Sequence, residues 1–120
     1  MRNEEHLHQV AVFRWAAYQG GKYPGLGLMF AIPNGGHRHI AVARKLKAEG
    51  VKAGVPDICL PVPRGAYHGL FIEMKSTKGK TTEAQDLWLD RLASQGYKTA
   101  VCRGAEEAIH IIQAYMEAGL

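Results

Sequence analysis

Asp57, Glu73 and Lys75 lie in two short apolar runs where charge is costly. The first run is Gly54-Val55-Pro56-Asp57-Ile58 and the second is Phe71-Ile72-Glu73-Met74-Lys75. Both are bracketed by glycine or proline and read as buried strands. A buried strand carries charge only when that charge is paired or holds a metal. Strand side chains alternate between faces, so Glu73 and Lys75 point the same way. If the two strands pair, Asp57 joins them in an acidic pocket suited to a hard divalent cation, beside an ammonium group. Phosphodiester hydrolysis at neutral pH needs an activated water, a cation against the scissile phosphate and help for the departing oxygen. Two carboxylates match Mg²⁺, which keeps several waters and takes few protein ligands. The competing reading is an aspartate that ends a strand and an exposed Glu–Lys pair on an edge strand.

Positioning these groups falls to the elements around them. A helix is expected from Asn3, as its cap, to about Gln19, with Glu4 and Glu5 in its first turn and Leu7, Val10, Phe13 and Ala17 as its apolar stripe. Leu28 to Ile32 reads as a strand stopped by Pro33-Asn34-Gly35-Gly36. A second helix from about His39 to Glu49 is basic on one side through Arg44, Lys45 and Lys47. The charged strands follow, about Asp57 to Val62 and Gly69 to Lys75, joined as a hairpin. Thr82 and Gln85 form a capping box that opens a third helix, which buries Trp88, Leu89 and Leu92 and stops at Gly96. Tyr97 to Cys102 reads as the last strand and Ala105 to Met116 as an amphipathic helix. The order α-β-α-β-β-α-β-α predicts an α/β fold with a central mixed sheet flanked by helices.

The chain of 120 residues has the length of one domain, taken as 1–120, with an apolar content of 47% that supports one core. A net charge of +4 favours a polyanionic partner. Cys59 and Cys102 each fall in an apolar strand and outside any C-x-x-C pair, so they read as buried free thiols of a reducing cytoplasm. No apolar run reaches membrane-spanning length and the first residues lack a signal-peptide core, which places the protein in the cytoplasm, away from membranes.

With Gly54-Val55-Pro56-Asp57 followed by Glu73-Met74-Lys75 and then Gln85, the chain resembles the virus-type replication–repair nuclease (VRR-NUC) family of the PD-(D/E)XK nuclease superfamily, in its stand-alone phage and bacterial form. The likeness extends to Glu5 and Gln9 in the first helix, the loop Pro33-Asn34-Gly35-Gly36, the basic loop Lys78-Gly79-Lys80 and the turn Gly96-Tyr97. It implies a restriction-endonuclease-like core in which Asp57, Glu73 and the main-chain carbonyl of Met74 bind the catalytic metal, Mg²⁺ or Mn²⁺. Lys75 would then serve the nucleophilic water. A first-helix acid would sit near the metal through a water. Glu5 is chosen over Glu4 because it shares a face with Gln9 at i, i+4. Gln85 matches the family's glutamine and also belongs to the capping box, and both roles are compatible.

Asn34, Gly35 and Gly36 offer backbone amides to a phosphate or simply form a tight turn. His37, Arg38 and His39 are expected to contact phosphate, since the pairs His6/His8 and His37/His39 lack zinc-ligand spacing. Lys78 and Lys80, with Arg44, Lys45 and Lys47, are backbone-phosphate candidates or ordinary solvated charges. Without a second module to read bases, selection by DNA shape is expected. The resemblance implies a homodimeric Holliday-junction resolvase in a bacterial host cell, since paired cuts in branched DNA call for two symmetry-related sites. A monomeric flap or nicking nuclease, a non-catalytic DNA-binding module and a hydrolase of small substrates are the alternatives.

Overall fold

The computed structural model describes residues 2–33 and 39–118, without the side chains of Arg2 and Asn3. Its elements run α1 (Arg2–Tyr18), β1 (Phe30–Ala31), α2 (Ile40–Ala48), β2 (Ile58–Leu60), β3 (Leu70–Lys75), α3 (Glu83–Ser94), β4 (Lys98–Arg103) and α4 (Ala105–Glu117). The four strands form one mixed sheet in the order β1-β2-β3-β4. β2 and β3 are the expected antiparallel hairpin, in the register Ile58↔Ile72, Cys59↔Phe71 and Leu60↔Leu70. β3 and β4 are parallel and joined through α3, so β3 is interior on both edges.

Alternation along β3 divides the sheet into two unlike faces. Leu70, Ile72 and Met74 enter the main core with Ile58, Leu60 and Cys102, and α1 and α4 close over them with Val12, Ala108, Ile112 and Met116. Phe71, Glu73 and Lys75 fall on the other face, toward α3. α4 is held at its end by Arg64, whose Nε donates to the Met116 carbonyl at 3.1 Å, and by the Tyr115 hydroxyl, which donates to the Val62 carbonyl at 2.6 Å. Cys59 and Cys102 are buried free thiols, raised above the ordinary thiol range chiefly by burial.

Several expected details differ. α1 already includes Arg2, so Asn3 lies within the helix and is not its cap. Of the expected stripe of α1, Phe13 packs against the core beside Val12, Trp15 and Ala16, and Val10 is half-buried, whereas Leu7 is 66% exposed and Ala17 is also exposed. His8 is half-buried and has a partner inside the fold, described below. Leu26–Leu28 forms a 3-10 turn entered by Gly25 at φ +98°, which shortens the expected strand to Phe30–Ala31. That strand pairs only with the three-residue β2, so there is little ladder to extend it. α2 buries no residue outright, with Leu46 alone half-buried. On α3, Leu89 is buried, but Trp88 and Leu92 are only half-buried.

Candidate active site

Asp57 stands one residue before β2, and the change of conformation there brings it to β3. Continuing the hairpin register would set Pro56 opposite Met74, and proline has no N–H to give the ladder. The Met74 N–H donates instead to Asp57 Oδ2 at 2.7 Å. The Asp57 carbonyl meanwhile accepts from Ile32 N–H at 2.7 Å, tying the residue to the edge strand. The aspartate is thus fixed by main-chain groups on both sides, beside the neighbouring Glu73.

Glu73 is 2% exposed on the interior strand. Burial, the charge of Asp57 and a hydrogen bond shared with the Asp57 carboxyl push its pKa up to about 9, with Glu5 adding and Lys75 opposing. Its Oε2 accepts from Gln85 Nε2 at 3.2 Å and lies 3.8 Å from Lys75 Nζ. Its Oε1 is buried and has no hydrogen-bond donor. A carboxylate oxygen left in that state costs free energy unless a proton or a cation meets it.

Gln85 makes the expected capping box and also reaches Glu73. Thr82 Oγ1 accepts from the Gln85 N–H at 3.2 Å, and Gln85 Oε1 accepts from the Thr82 N–H at 2.9 Å, completing the capping box. With its oxygen committed to the cap, the amide has its nitrogen turned toward Glu73. The start of α3 is held close by Gly54, at φ +90°, where a Cβ would stand 2.8 Å from the Ala84 backbone.

The two first-turn acids of α1 diverge. Glu5 contributes negative charge at Glu73, whereas Glu4 Oε2 accepts from the Thr77 N–H at 3.2 Å in the loop leaving β3. Glu4 also lies 3.8 Å from His8 Nε2. His8 Nδ1 accepts from the Ala105 N–H at 3.0 Å, which puts the ring proton on Nε2 toward Glu4 and caps α4. A further tie runs from Arg103 Nη2 to the Gly79 carbonyl at 2.9 Å. These ties hold the basic loop from both sides and were missed in the sequence, where the i, i+4 spacing of Glu4 and His8 is the one local signal for them.

Asp57, Glu73, Lys75 and Gln85 therefore gather at one place, with Asp57 on the Met74 N–H and Glu5 near enough to add its charge at Glu73. Lys78 and Lys80 are exposed on the adjoining loop. His39 caps α2, its Nδ1 accepting from the Ala41 N–H at 3.4 Å, and points to solvent. Asn34, Gly35, Gly36, His37 and Arg38 lie outside the described residues. Among the described residues no three His, Cys, Asp or Glu side chains gather as a metal cage. The donors at hand are two carboxylates, a set that fits a hydrated hard cation better than a fully protein-ligated one.

A helix-flanked mixed sheet that brings an Asp, a Glu and a Lys together in this way defines a nuclease of the PD-(D/E)XK type. The chain belongs to the VRR-NUC domain family, whose profile matches residues 3–106. A solved structure described as a "VRR_NUC domain protein" is 36% identical, with a TM-score of 0.84 over 97% of this chain and 90% of that one. No curated protein matches.

Proposed function

We propose that the protein is a divalent-metal-dependent, structure-selective DNA endonuclease that cuts branched DNA as a homodimeric Holliday-junction resolvase. The observation that carries the reading is buried Glu73, whose Oε1 has no donor and whose Oε2 lies 3.8 Å from the Lys75 ammonium, with the Asp57 carboxyl beside it. Asp57, Glu73 and the Met74 carbonyl would hold Mg²⁺ or Mn²⁺. Such an ion supplies charge neutralisation at the scissile phosphate and acidifies water there.

The chain's own groups do the rest. Gln85 holds Glu73 Oε2 and so leaves Oε1 for the ion. Lys75 orients the attacking water and offers positive charge to the phosphorane oxygens. Glu5, one helix away, orders water around the acidic pair. Lys78 and Lys80, with His39 and the glycine loop before it, meet the DNA backbone, a mode that selects shape over sequence. Two like cuts across a four-way junction require two such sites, which a C2 dimer provides.

The decisive experiment compares a four-way junction with linear duplex, with and without Mg²⁺ or Mn²⁺, for the wild type and Asp57→Ala. Ion-dependent cutting of the junction by the wild type alone is expected, from a particle of dimer mass in size-exclusion chromatography. DNA binding without cleavage by either protein would leave a binding module. Junction cutting by a monomer would remove the dimer from the reading.

A further inference from the structure

α3 segregates its charges. At about 100° per residue, Ala84, Trp88 and Arg91 share one flank, while Asp86 and Asp90 lie on the opposite one. The Trp88 flank faces the loop before β2 and borders two clefts of about 450 and 280 Å³. The larger is lined by Pro33, Val51, Lys52 and Trp88, and the smaller by Lys52, Leu87, Trp88 and Arg91. Lys52 and Trp88 are common to both, so the half-buried indole stands where the clefts meet, under an exposed ammonium and beside an exposed guanidinium. Trp88 follows Gln85 by three residues, about 4.5 Å along the helix axis, and Gln85 touches Glu73. The groove therefore begins about one helical turn beyond the residue that touches the acidic pair.

We infer that this groove holds unpaired nucleotides of the DNA substrate, with a base stacked on the Trp88 indole and the adjoining phosphates between Lys52 and Arg91. The inference rests on the nuclease reading and adds a specificity-determining surface to it. An aromatic floor accepts any base by its π face, and flanking cations track the backbone. Duplex DNA keeps its base faces stacked inside the helix, so only a nucleotide freed at a branch or an end can reach a side chain on a cleft floor. The acids of α3, turned to the far flank, leave the groove itself positive.

Trp15 and Trp88 are the two tryptophans of the chain. In a Trp15→Phe protein, intrinsic fluorescence thus reports Trp88 alone, and DNA titrations in metal-free buffer require no cleavage. Oligo-dT is expected to quench Trp88, as is a four-way junction whose crossover pairs open on binding, and fully paired blunt duplex to leave it nearly unchanged. Trp88→Ala is expected to weaken oligo-dT binding about tenfold while changing duplex binding less than about twofold. Lys52→Ala and Arg91→Ala, both at exposed positions, should each weaken oligo-dT binding and lower its salt slope without affecting folding. Equal quenching by duplex, or oligo-dT affinity indifferent to all three substitutions, would overturn the inference. Junction cleavage by the Trp15→Phe protein with a silent Trp88 would also overturn it and leave the nuclease reading intact. Trp88 quenching by oligo-dT with no junction cleavage in Mg²⁺ or Mn²⁺ would overturn the nuclease reading and leave the groove a contact for single strands alone.

Discussion

The two faces of β3 take alternate residues of one six-residue strand and solve opposite problems. Leu70, Ile72 and Met74 meet α1 and α4 in a dry core where every contact lowers the free energy of the fold. One residue out of phase, Glu73 and Lys75 face α3 in a polar recess where a buried carboxylate oxygen has no donor. The first face stabilises the fold and the second draws on that stability. Because the interior strand is locked between β2 and β4, the strained face is held in place by bonds it does not make itself. The site can therefore be altered chemically without moving.

The widest separation of the two faces should come from Asp57→Asn. Its amide oxygen still accepts the Met74 N–H, so folding should be unchanged or slightly improved as Glu73 loses a negative neighbour. Cleavage should fall by ~10³-fold, the loss of several kcal/mol of transition-state stabilisation. Single-turnover kinetics beside thermal melts would read both, and a large fall in Tm would mean that the aspartate is mainly structural. Ile72→Ala, its counterpart on the dry face, should cost about 2–5 kcal/mol of stability. Chemical denaturation should show the loss, while kcat of the protein that remains folded changes little.

The sequence made the wet face easier to read than the dry one. Charge in short apolar strands is rare enough to stand out locally, and Thr82 with Gln85 spells its capping box within four positions. The stripe of α1 is legible only in part: Phe13 packs on the core as expected, but the inward side also contains His8. Its partner is the Ala105 N–H, 97 positions away, and no local pattern reveals such a pairing. The separation of Glu4 from Glu5 had the same cause, since Glu4 is occupied by the Thr77 N–H across the fold. β1 was overextended because a strand is only as long as its partner allows, and β2 has three residues.

A smaller effect distinguishes the faces by pH. Folded Glu73 holds its proton up to about 9, whereas the unfolded side chain releases it near 4.5. Between these values the native state binds more protons than the unfolded one, so stability falls as pH rises. This contribution is fully present below the lower value and is lost as pH passes through the upper one. Melts in chelator from pH 5 to 9 should show a decline that Glu73→Gln flattens, and a divalent ion should oppose it by replacing the proton. An identical slope in wild type and Glu73→Gln would place the titration elsewhere.

The finest test lies in Gln85, which belongs to both sides of the comparison. Its oxygen stabilises α3 through the Thr82 N–H and its nitrogen orients Glu73 Oε2. Gln85→Ala removes both bonds and should cost about 1 kcal/mol of stability, with roughly a tenfold loss of cleavage. Gln85→Glu keeps an acceptor for the cap but sets a second carboxylate where the donor stood. It should therefore keep the helix start, visible in amide exchange at Thr82, while losing activity to a similar extent as the alanine variant. If Gln85→Glu cleaves like the wild type, the contact with Glu73 is incidental and Gln85 is a cap alone. The order of the two variants in stability, set against their shared loss in rate, separates what the helix needs from what the recess needs.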